Sequence, residues 1–217
     1  MTKLLNKEFR LCASPLSWIF LIAAGMTLLP GYPILVGAFF VCFGVFHSFQ
    51  NAREANDVLY TVLLPVRKQD FVRAKYAFTC CIELIAFVLT AALTVLRMTA
   101  LSAGKAYVSN ALMNASPLFL AFVLLIFAAF NLCFIGGFFR TAYKFGMPFL
   151  TFGIVTLVLI FIGEALHFFP GLGFLNTTSG ERLGLQFALL AIATVIYALC
   201  TFLCCRASMA KFETIDL

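Results

Sequence analysis

Six long apolar stretches fill nearly all of this 217-residue chain, and its one dense cluster of charge lies between the second and the third. A soluble domain of this length has too little interior to hide such a sequence. Hydrophobic residues make up 63% of it, phenylalanine occurs 27 times, and only 11% of residues are charged. Lipid is therefore the expected solvent for most of the surface, and the fold class is an all-α polytopic membrane protein. A helix crosses the hydrocarbon core with about 20 mostly apolar residues. Runs of that kind lie near residues 16–29, 34–49, 71–96, 117–139, 147–168 and 185–205, which predicts six spans. The first two are short, and the Pro30-Gly31-Tyr32-Pro33 turn between them belongs at a membrane surface. No small-residue cleavage site follows the first run, so a cleavable signal peptide is not expected.

Basic residues in short loops mark the cytoplasmic side. With an even number of spans both termini share a side, and of the 15 basic residues only Arg97, Lys105 and Arg182 fall on the other. Both termini are thus expected in the cytoplasm. The net charge of +6 reads as topology, with no nucleic-acid surface implied. The eight cysteines sit in the expected spans or at their cytoplasmic flanks, where they are small apolar fillers, and no disulfide framework is expected. Acylation of Cys204-Cys205 is a further possibility that plain packing makes unnecessary.

Residues 1–15 place Leu4, Leu5, Phe9 and Cys12 on one helical arc, with Lys3, Lys7 and Arg10 set to meet lipid head groups. This predicts an interfacial helix ending at Ser14-Pro15. A charged cytoplasmic segment at 50–70 follows the second run. Its apolar residues Val58, Leu59, Val62, Leu63 and Val66 recur at helical spacing, and Pro65 breaks the pattern. The expectation is a short helix, a bend at Leu64-Pro65, and a long helix from Lys68 to Leu101. The segment 168–183 is too apolar at its start for a free loop, and part of it is expected to dip back into the outer leaflet.

Catalytic material is scarce. The two histidines, His47 and His167, fall at opposite faces, and no HExxH, GxSxG or GxxxxGK[ST] pattern occurs. No catalytic or metal-ligating set is assigned. Glu83 is the one carboxylate well inside an expected span; it lines a polar path, locks two spans, or makes a neutral helix–helix hydrogen bond. Asn131 is a candidate interhelical clasp. Glu164 is expected to reach water at the outer end. Gly136-Gly137 and Gly146 read as a hinge or as ordinary turns. The sequons at Asn114 and Asn176 carry no weight by themselves.

The run LLPVRKQDFVRAKY, with Leu64, Pro65, Arg67, Lys68, Phe71, Val72, Ala74, Lys75 and Tyr76, resembles the signature of small bacterial ABC transporter type-2 permeases. Glu54 and Asp57 upstream, and the opening LLNKEFRL, suit the same pattern. The chain is similar to the compact permeases of multidrug and peptide exporters, that of phenol-soluble modulins among them. That resemblance implies a permease dimer, from a second copy or a sister chain, in the bacterial cytoplasmic membrane. It implies two separate ABC ATPase subunits on the cytoplasmic face, with ATP and Mg on those subunits and no cofactor in this chain. Residues 50–70 would supply the coupling helix: Val58, Leu59, Val62 and Leu63 as apolar anchors, Glu54, Asp57, Arg67 and Lys68 fixing register, Pro65 setting the elbow. The cargo path would run along the dimer interface near the first, second and fifth spans. The function so implied is ATP-driven outward movement of an amphipathic or apolar cargo, peptide or drug-like. Rival readings are a membrane anchor, a channel without ATPase coupling, and an intramembrane enzyme.

Overall fold

The computed structural model describes residues 2–141, 144–176 and 182–215, and every regular element in it is helical. Helix α1 (Thr2–Lys7) continues into a π-helical turn, Glu8–Cys12. The chain then turns by 92°. Ser14 caps the next helix by accepting from the Leu16 amide, and Pro15 at the first helical position has no N–H to leave unsatisfied. Helix α2 (Pro15–Ile19) runs on as a 3-10 helix, Phe20–Leu28. Helix α3 (Val36–Glu54) packs back along this pair. Their backbones come close because Gly37 and Gly44 offer no side chain: a Cβ on Gly37 would stand 2.7 Å from the Ala23 carbonyl oxygen. Hydroxyl groups finish the seam, with Ser17 donating to the Gly44 carbonyl at 2.7 Å and the Ser14 amide donating to Ser48 at 2.8 Å.

Asn56, in the left-handed region at φ 51°, reverses the chain into α4 (Asp57–Leu63). Leu64 is extended because the proline that follows crowds the helical region, and α5 (Lys68–Thr99) starts three residues beyond Pro65. Its 32 residues span about 48 Å, more than a bilayer core. Helix α6 (Lys105–Val108) is a single turn in the loop that follows. Ser116 and Pro117 cap and start α7 (Pro117–Ala129), which passes through a π-helical segment, Phe130–Ile135, into α8 (Gly136–Arg140). This continuous rod is apolar on every side and is the centre of the fold, wrapped by α3, α5, α9 (Gly146–Ala165) and α10 (Leu183–Glu213). Two 3-10 turns, Leu166–Phe168 and Gly173–Asn176, follow α9.

Among the described residues four helices are long and apolar enough to cross a membrane: Lys68–Thr99, Pro117–Arg140, Gly146–Ala165 and Leu183–Glu213. Counting the bent pair Thr2–Cys12 and Pro15–Leu28 as one span gives five at most. Helix α3 falls short of the expected sixth because its last turns carry Gln50, Asn51, Arg53 and Glu54. Leu150, Leu157 and Phe161 on α9 and Phe187, Leu199 and Leu203 on α10 are exposed, a surface that water would not tolerate. Inside, phenylalanine rings of α3, the π-helical segment of the rod, α8 and α9 interlock, with Phe46 and Phe149 centroids 4.2 Å apart.

Both ends of the described chain meet at one end of the bundle, here called the terminal end. There Lys68 donates to the Ile215 carbonyl, Gln69 donates to Glu213, and Arg53 lies 4.9 Å from the Phe145 ring centre. Gly136-Gly137 forms no turn: both lie within the central rod, and a Cβ on Gly137 would meet the Pro148 Cβ at 2.8 Å. Tight packing against α9 explains that glycine. The same substitution should have opposite effects at two glycines. Gly37→Ala should lower stability by about 1–3 kcal/mol, whereas Gly153→Ala, with nothing within 4 Å of the new Cβ, should be neutral or raise it. Thermal unfolding of the two purified variants checks this.

Candidate functional site

Three groups of buried polar side chains lie at different heights along α5. At the terminal end, Lys7 and Lys75 stand between Glu8 and Asp57. Lys7 Nζ is 3.1 Å from Glu8 Oε1 and 2.7 Å from Asp57 Oδ1, and Lys75 Nζ is 2.6 Å from Glu8 Oε2 and 3.2 Å from Asp57 Oδ2. Glu8 and Lys75 are almost completely buried. Two cations and two anions cancel, the condition under which such burial is tolerated. Lys7 also donates to Thr61 of α4 at 3.0 Å. This clamp ties α1, α4 and α5 into one body. Glu8, Cys12 and Asp57 bring possible ligand atoms within 4.8 Å of one another, but the two ammonium groups already beside the carboxylates repel any metal cation there.

The clamp corrects one expectation. Lys7 points into protein instead of toward lipid head groups, because Glu8 and Asp57 compete for it at closer range. Asp57 and Val58 turn inward, Asp57 to both lysines and Val58 into the core. Of the other residues assigned to coupling, Glu54, Leu59, Leu63, Pro65 and Arg67 are exposed and Val62 and Lys68 half-buried. Tyr60 and Leu64, not assigned to coupling from the sequence, widen the exposed apolar face to Leu59, Tyr60, Leu63 and Leu64.

Midway along α5, Glu83 accepts hydrogen bonds from Tyr197 at 2.7 Å and from Asn131 at 3.0 Å, both on Oε2. Asn131 also donates to Thr201 at 3.1 Å. Glu83 and Asn131 are fully buried. The clasp joins α5, the π-helical part of the central rod, and α10. Tyr197 and Thr201 were not legible as partners, since each is an ordinary polar residue in an apolar run; their four-residue spacing on one helix face was the available signal.

At the far end, buried Arg97 donates to the Thr27 carbonyl at 2.6 Å and to Asn114 at 2.9 Å, with the Tyr107 ring centre 4.8 Å away. Asn114 in turn binds Asn176 through its amide nitrogens at 2.6 and 3.1 Å. The first sequon asparagine is thus buried and engaged; the threonines of the second lie outside the described residues, as does part of the 168–183 segment. Glu164, expected to reach water, is half-buried and accepts from the Met113 amide at 2.7 Å.

Removing one clamp partner strands buried charge. Lys75→Met should cost about 3–5 kcal/mol, and the double variant Glu8→Gln/Lys75→Gln should cost less, measured by unfolding in detergent. Burial by itself raises the Asp57 carboxyl, but Lys75 and then Lys7 outweigh it and hold the group below its ordinary 3.8. A carboxyl lowered on folding binds fewer protons than in the unfolded chain. Its contribution is therefore complete well above pH 3.8 and is lost as pH falls below that value through the folded one. Proteolytic cleavage within residues 53–67 should rise over that acidic interval and stay constant near neutrality.

No curated protein and no solved structure matches the chain. The sequence does match, over residues 3–210, the family described as ABC-2 family transporter protein. Clamp, clasp and far-end cluster all lie within that match, and the chain belongs to the ABC-2 transporter family as a membrane component without an ATPase domain of its own.

Proposed function

We propose that this chain is the permease subunit of an ATP-driven exporter, working as a dimer with two ABC ATPase subunits bound at the terminal end. That end is the cytoplasmic one in this reading, and α3 completes six crossings. The single observation that supports it is the pairing of a rigid clamp with an open apolar face. Helix α4 presents Leu59, Tyr60, Leu63 and Leu64 outward, while Asp57 and Val58 on its other side are fixed to α1 and α5. A seven-residue helix has little stability alone, so a push on it passes directly into the 32-residue α5. ATP and Mg belong to the partner subunits. The cargo is an amphipathic or apolar molecule, in keeping with the apolar surfaces of α5, α9 and α10.

The test is capture of the ATPase. The tagged chain purified from its native membranes should carry ATP turnover with it. Leu59→Asp/Leu63→Asp should reduce that turnover at least about tenfold while leaving the amount of inserted chain unchanged. Undiminished turnover in the double variant removes the docking role of α4. Absence of any ATPase with the wild-type chain favours an anchor or channel.

A further inference from the structure

Glu83 uses only one of its carboxylate oxygens in the clasp. The other, Oε1, is buried and accepts no hydrogen bond among the described residues. Their ion pairs all lie nearer the terminal end, so no lysine or arginine offsets this carboxylate. A buried acceptor with neither donor nor counter-charge is an uncommon arrangement and costs free energy as it stands. Beside it is a cavity of about 50 Å³, whose other walls are Leu84, Phe87, Leu124, Phe127 and Tyr197. That is more than one water needs, roughly 10–15 Å³, and far less than a drug-sized body requires, roughly 300–1,000 Å³. Its size suits a small charged head group. Carboxylate and aromatic rings together select the sign, since both attract cations and disfavour anions.

The cavity shares Leu84 and Tyr197 with a groove of about 510 Å³ between α5 and α10, whose walls include Cys80, Ala198, Thr201 and Phe202. The groove is predominantly apolar, and its one charged wall residue, Arg73, lies ten positions from Glu83 along α5. We infer that the Glu83 cavity and the α5–α10 groove form one binding site for a protonated amine carried on an apolar body. The ammonium sits against Glu83 Oε1 among Phe87, Phe127 and Tyr197, and the apolar part lies along the groove. The ammonium supplies the missing donor and neutralises the carboxylate, completing the charge balance that Lys75 gives Glu8 at the terminal end. This deepens the transporter reading by naming a cargo class, although binding itself requires no ATPase.

Radiolabelled dodecylamine, titrated onto the full chain in discs of zwitterionic lipid with empty discs as the partition baseline, tests the site. Saturable binding at one site per chain is expected, displaced by unlabelled dodecylamine and not by dodecanol at the same concentration. Glu83→Gln should weaken binding about 30-fold or more. Leu124→Phe, which fills the cavity and keeps the carboxylate, should abolish it, and this variant decides the matter if Glu83→Gln fails to insert. Uptake no greater than in empty discs overturns the proposal. So does displacement by dodecanol, or wild-type affinity in the variants. Loss of ATPase capture with amine binding intact sinks the exporter reading alone; the opposite result sinks only this site.

Discussion

A charged side chain withdrawn from water needs opposite charge or hydrogen-bonding partners beside it, and the terminal end of this protein is arranged around that requirement. Glu8 and Lys75 are both buried, and neither would be tolerated without the other. Asp57 and Lys7 add a second balanced pair and, in doing so, bring in α4 and α1. Because the group is shielded from solvent, dissolved salt screens it far less than it screens exposed pairs such as Arg73 with Asp70. The position of the short α4 follows from this cluster and from Val58, since seven residues cannot hold a helix by propensity.

The same rule recurs along α5. Lys75, Glu83 and Arg97 lie on its buried face, about 12 Å and then about 21 Å apart along the axis. Each binds different partners: α1 and α4 at the terminal end, the central rod and α10 midway, Thr27 and Asn114 at the far end. Thr79 and Thr94 on that face hydrogen-bond to carbonyls of their own helix, and so leave the charged residues to make the contacts between segments. Rotating α5 by one residue would break all three sets together. The helix therefore behaves as one rigid part whose movement changes every level of the molecule.

Much of the helical framework is legible in the chain because its signals are local. Ser14-Pro15 and Ser116-Pro117 start helices where such pairs are expected to, and Pro65 separates α4 from α5. Polar pairings are another matter. Lys7 and Asp57 are 50 residues apart, and no periodicity within either segment announces their meeting. One local clue existed: Glu8 stands four residues from both Leu4 and Cys12, so it interrupts the apolar arc of its own helix and must be buried with them. The π-helical segments hide the rest. Glu8 and Asn131 both lie on such segments, where an extra residue in the turn shifts the direction of side chains that a regular helix would aim elsewhere. Glu164 and Gly137 escaped for a simpler reason, since their roles depend on a loop amide and a proline ring brought close only by the packed fold.

The wide sequence separation within the clamp has a consequence for biosynthesis. Lys7 is made 50 residues before Asp57, a delay of roughly 3–10 s at ordinary elongation rates of about 5–20 residues per second. Throughout that interval Glu8 has only the lysine beside it, and the buried clamp cannot yet be completed. The buried partner of Glu8, Lys75, is made later still, so the seat of α1 depends on residues translated well after it.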